Sequence, residues 1–121
     1  MAIDEALLQR VRDRLAGRAD VVEKPMVGGR SFMVGGHLCC GVSGDALMVR
    51  VGPETYDWAL HQPHVRPLRM GAKAPMGYVL IEPSGRATDD ALDTWLRRGI
   101  EFVSTLDRAG RHQSEGSAST G

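Results

Sequence analysis

His37 and Cys39 lie two residues apart, and alternate residues of a strand share a face. An imidazole and a thiolate so placed supply two of the four ligands that a structural zinc requires. His61 and His64 would have to complete the set through the fold. The sequence contains neither C-x-x-C nor H-E-x-x-H, so the simpler reading of Cys39 and Cys40 is as small core residues. A disulfide between sequence neighbours is strained, and adjacent strand residues point to opposite faces. The two cysteines therefore read as reduced thiols, in keeping with a cytoplasmic protein. No metal or other cofactor is expected.

Other chemistries find less support. Ser43 sits in Gly41-Val42-Ser43-Gly44, which is not the G-x-S-x-G elbow of a serine nucleophile. Glu23, Glu54 and Glu82 read as surface or strand-end residues rather than paired acid/base carboxylates. Gly28-Gly29 and Gly35-Gly36 bracket a strand, which is hairpin chemistry. No G-x-G-x-x-G fingerprint and no Gly-Lys-Ser/Thr phosphate loop is present. The chain reads as non-catalytic.

The unusual residues are the cations of the central strands. Lys24, Arg30, Arg50, Arg69 and Lys73, with Met26 beside the first, form either ordinary solvated strand faces or one shared interaction face. A shared face would suit an acidic protein partner or a phosphate backbone. It would also suit a small ligand or substrate held by Lys24, Arg30 and Arg50. The whole chain carries 15 basic and 15 acidic residues, for a formal net charge of zero. That balance gives no global field to draw it onto DNA, so a protein partner is expected and direct nucleic-acid binding is not.

These residues need a scaffold, and 121 residues with 42% apolar content suffice for one domain with its own core. Aromatics are only 5%, so aliphatic side chains must fill it. Residues 3–17 form an amphipathic helix, with Ile3, Leu7, Val11 and Leu15 recurring every four positions. Four short strands follow: one from Val21 to Pro25, then Arg30–Val34, His37–Val42 and Ala46–Val51. The Gly35-Gly36 pair marks a two-residue hairpin. Pro53 and Glu54 open a second helix that runs to about His61. Arg66–Met70 is a weak strand and Gly77–Glu82 a strong one. Thr88 caps a last helix, with Leu92, Trp95, Leu96, Phe102 and Val103 on its stripe, that ends near Leu106. This order predicts an α+β fold: an antiparallel sheet with helices packed on it as a two-layer sandwich. The folded domain spans 1–107, and 108–121 is expected to be a disordered tail. No run approaches the length of a membrane span, and the N-terminus lacks a signal-peptide pattern. An exposed edge strand leaves a homodimer open.

The central motifs also resemble a known family. Lys24-Pro25-Met26-Val27-Gly28-Gly29-Arg30-Ser31-Phe32-Met33-Val34-Gly35-Gly36 is similar to the signature of the TfoX/Sxy N-terminal domain, with Val27 where Phe is common. Leu47-Met48-Val49-Arg50-Val51-Gly52-Pro53-Glu54 and Met76-Gly77-Tyr78-Val79-Leu80 follow in the family's order. The resemblance covers about residues 3–106. It implies an α-β-β-β-α-β-β-α arrangement similar to secretion-chaperone-like folds, with two early strand pieces merged into one. It also implies a bacterial regulatory protein: full-length members control natural competence by assisting the cyclic-AMP receptor protein at promoters. Those members carry a second, C-terminal domain, so a stand-alone N-terminal domain is expected here, with transcription machinery as its partner. The family has no established catalytic residues to carry over.

Overall fold

The computed structural model describes residues 3–26 and 28–120, with side chains described through Leu106. The first helix, α1 (Glu5–Leu15), is fixed at its start by Asp4, whose carboxylate accepts a hydrogen bond from the Leu7 amide at 3.0 Å. That bond satisfies one of the helix's orphan N–H groups. Its buried residues are Leu7, Leu8, Val11 and Leu15, the stripe expected from the sequence.

Four strands follow: β1 (Val21–Met26), β2 (Gly29–Val34), β3 (His37–Ser43) and β4 (Ala46–Arg50). The early pieces are thus four separate strands, one more than the order implied by the resemblance. Gly35 and Gly36 both adopt positive φ, 59° and 86°, as the two central positions of a type I′ hairpin require. The helix α2 (Pro53–Leu60) starts with proline, whose absent N–H costs nothing in the first turn. It leads to β5 (Val65–Pro67) and β6 (Tyr78–Ile81). The expected strand to Met70 stops at Pro67, although the Leu68 amide still donates to the Tyr78 carbonyl at 3.3 Å. Met70 instead forms an isolated bridge with Lys73.

A 3₁₀ turn, Pro83–Arg86, precedes α3 (Asp89–Thr120). Thr88 caps α3 through Oγ1, which accepts from the Ala91 amide at 3.1 Å. The helical backbone continues past Leu106, and the expectation of a disordered tail falls on residues outside those with described side chains. No helix among the described residues is long and apolar enough to cross a membrane.

The six strands form one antiparallel sheet in the order β1-β2-β3-β4-β6-β5. All three helices contribute to one continuous core on one face, joining Leu7 and Val11 of α1 and Ala59 of α2 to Leu92 and Val103 of α3. Phe32, Val42, Leu47, Val49, Val79 and Ile81 meet them from the sheet. The α+β, helix-on-sheet expectation therefore describes the molecule. Arg86 locks one end of it. This almost fully buried guanidinium donates to the Asp45 carbonyl at 2.6 Å and lies 3.8 Å from the Asp4 carboxylate. It ties the 3₁₀ turn to the β3–β4 turn and to the start of α1.

Candidate functional site

The second face of the sheet is where function can be sought. In β4 the pleat sends Leu47 and Val49 to the helices and Ala46 and Met48 the other way. In β6, Leu80 points away from the helices between Val79 and Ile81. Ala46, Met48 and Leu80 form a separate small cluster, joined by the half-buried Met26, Leu38 and Leu68. No helix side chain among the described residues joins it. A groove of about 790 Å³ runs over this face, lined by Met26, Leu38, Met48, Leu68, Met70 and Tyr78. Among the described residues Arg69 is the one charged side chain in its lining.

Glycine makes room for this floor. Gly41 lies in β3 opposite Ser31 and Met48. A Cβ there would sit 3.0 Å from Met26 Cε and 2.8 Å from the Arg30 carbonyl oxygen. With no side chain at position 41, the Met26 thioether can lie across the strand. Methionine has three rotatable bonds and a polarisable sulfur, so a methionine-lined groove can adapt to differently shaped apolar occupants.

The cations singled out in the sequence do not all share this face. Lys24 alternates with Glu23 and Pro25 and falls on the same side as Met26, exposed. Arg69 and Lys73 are exposed in the segment after β5, flanking Met70, which is 65% exposed. Arg50 follows Met48 by the pleat. Its guanidinium lies 5.4 Å from the centroids of both Tyr78 and Phe102 and donates to the Leu38 carbonyl at 3.4 Å. It is held by aromatic rings and is half-buried rather than projecting freely. None of these four cations pairs with a carboxylate among the described residues.

Arg30 is the exception and corrects the idea of one shared face. Arg30 Nε donates to Glu23 at 2.8 Å on the helix side. The same carboxylate accepts two bonds from Arg12 of α1, at 2.8 and 2.7 Å. Arg12, followed by Arg30, holds the Glu23 carboxyl at about 2, well below its ordinary value. Arg30 thus ties the sheet to α1. A ligand site built on Lys24, Arg30 and Arg50 loses its premise, because these three side chains do not converge.

The cysteines are the free core thiols expected, but they do not point to opposite faces. A register shift between Phe32 and Met33 leaves Cys39 without a partner on β2, since Phe32 pairs with Cys40 and Met33 with Leu38. This bulge turns both side chains into the helix-side core, where both are fully buried. Cys39 Sγ lies against α3, 3.0 Å from where a Cβ on Gly99 would be. The hydrogen bond with Cys39, and then burial, push the Cys40 thiol well above the usual range. Both thiols are free. His37 pairs with the core residue Val34 and so shares the helix side with Cys39, as their spacing suggested, but among the described residues no three metal-binding side chains converge.

Sequence reasoning found Met26, Lys24, Arg69 and Lys73 but missed Leu38, Met48, Leu68 and Tyr78. The signal was present in the unbroken apolar runs Ala46–Val49 and Tyr78–Ile81. An antiparallel strand with one wet face alternates, whereas an unbroken run has apolar side chains on both faces. One large exposed aromatic lies on the helix side. Trp58 of α2 is 42% exposed, but Arg98 of α3 stacks 3.9 Å from its ring centroid and Trp95 lies 6.0 Å away. That side chain staples α2 to α3.

Searches of curated proteins and of solved structures found no match for this chain. The family model of the TfoX N-terminal domain matches residues 13–103, a span that takes in the sheet, α2 and the buried part of α3. The chain belongs to the TfoX N-terminal domain family.

Proposed function

We propose that this chain is a non-catalytic regulatory module that acts by binding another protein through the open face of its sheet. The observation that carries this reading is the methionine-lined groove, an apolar floor that no helix side chain among the described residues joins, bordered by exposed cations. Contiguous apolar surface rimmed by polar residues is characteristic of interaction sites. The family resemblance points to transcription as the setting, with RNA polymerase or the cyclic-AMP receptor protein as partner and competence control as the narrowest form.

The test is co-precipitation of those two purified proteins with the tagged chain. An Arg69→Glu/Met70→Glu double variant serves as the comparison, both residues being exposed. The intact chain is expected to retain one of the two proteins and the variant to lose it, with melting temperature unchanged. Equal retention by both forms would move the interaction off this face. No retention by either would contradict the transcriptional partner.

A further inference from the structure

The charges of this neutral chain are segregated by face. Its well-formed ion pairs lie on the helix side or at its edge. Asp89 pairs with Arg10 and Arg14 at 3.2 and 2.9 Å, Asp93 with Arg14 at 3.1 Å, and Glu23 with Arg12 and Arg30. On the open face Lys24, Arg69 and Lys73 have no carboxylate partner among the described residues. Glu82, at the end of β6, lies 3.7 Å from Arg66. A molecule with zero net charge therefore presents one locally positive face, and the apolar groove lies within it.

We infer that the groove takes an acidic amphipathic segment of a partner protein, with apolar side chains seated among the methionines and carboxylates set against Arg69, Lys73 and Lys24. The inference rests on the docking reading above and names the chemistry of what docks. Three features select this occupant. The floor is thioether and aliphatic, which suits apolar anchors recurring at i, i+3, i+4 and i+7 of a helix. The rim is cationic and unpaired, which favours carboxylates and speeds encounter. A second copy of this chain, docked face to face, would set these cations against the same excess of positive charge. A single-stranded nucleic acid would match the cations, but bases stack on aromatic platforms, and Tyr78 is the one aromatic ring among the described residues of the groove lining.

The experiment uses two synthetic peptides of about four helical turns with the same leucine and phenylalanine anchors. One carries glutamate on its flanks and the other carries lysine. Binding is read from the ¹³C-methyl resonances of the methionines in the full chain. The glutamate peptide is expected to shift Met26, Met48 and Met70 saturably. It should bind at least about tenfold more tightly than the lysine peptide at low salt, with the gap narrowing as salt rises. An Arg69→Glu/Lys73→Glu variant, altered at two exposed positions, should reverse the preference. Equal binding of the two peptides would overturn the inference, as would shifts away from those methionines. Tighter binding of a single-stranded DNA oligomer at the same resonances would assign the face to phosphate and overturn it as well. If neither peptide binds while co-precipitation still depends on Arg69 and Met70, docking through the face stands and the acidic amphipathic occupant falls.

Discussion

Glu23 illustrates how far a single side chain could be read in advance. Its type and strand position suggested a solvated surface carboxylate, yet it is clamped by Arg12 and Arg30 at under 3 Å. The sequence places Arg12 eleven positions away on a helix, and only the fold brings it over β1. The carboxyl is depressed in the folded state, from 4.5 to about 2. Its contribution to stability is therefore complete above about pH 4.5 and is lost as pH falls toward 2. Glu23→Gln is expected to cost about 1–2 kcal/mol at pH 7, allowing for solvent screening of its partly exposed partners. The difference from the unmodified chain should shrink through that acid window in urea titrations. Nothing local in the sequence accounts for Gly41, whose reason is the close approach of β2 and Met26. Gly41→Ala is expected to destabilise the fold by about 1–3 kcal/mol, because the added carbon meets the Arg30 carbonyl as well as Met26. The Met26 methyl resonance should move with it.

Elements were more legible than their pairing. The α1 stripe, the Gly35-Gly36 hairpin, the proline start of α2 and the Thr88 cap are local features, set by periodicity and by backbone rules that act over a few residues. Thr88→Ala should accordingly cost about 1 kcal/mol, the usual worth of an N-cap, as a lowered denaturation midpoint with unchanged slope. The β-bulge at Cys39 was not legible. It depends on the register between β2 and β3, which no local pattern in His37–Ser43 records. Regular alternation put the two cysteines on opposite faces, and the single extra residue turned both inward. Similarly, β5 ends at Pro67 although the sequence beyond it was read as strand to Met70. The released segment is what brings Leu68, Arg69 and Met70 over the open face.

For the whole molecule, composition correctly bounded the class of fold but hid its polarity. A formal charge of zero averages a helix side rich in closed ion pairs with a sheet face where cations stand unpaired beside an apolar groove. The topology creates that contrast by placing all three helices on one side of a six-stranded sheet. Lys24, Arg69 and Lys73 of the open face were thus nameable from sequence, although Arg30 and Arg50, named with them, turn elsewhere; the groove itself required the register of β3, β4 and β6. The most direct measurement of the face's role is oxidative footprinting of the chain, free and bound to its co-precipitated partner. Met70, 65% exposed, and Trp58, 42% exposed, report opposite sides of the sheet. Docking through the open face predicts that the partner slows oxidation of Met70 severalfold and leaves Trp58 unchanged. Protection of Trp58 with Met70 still oxidised at its free rate would contradict it.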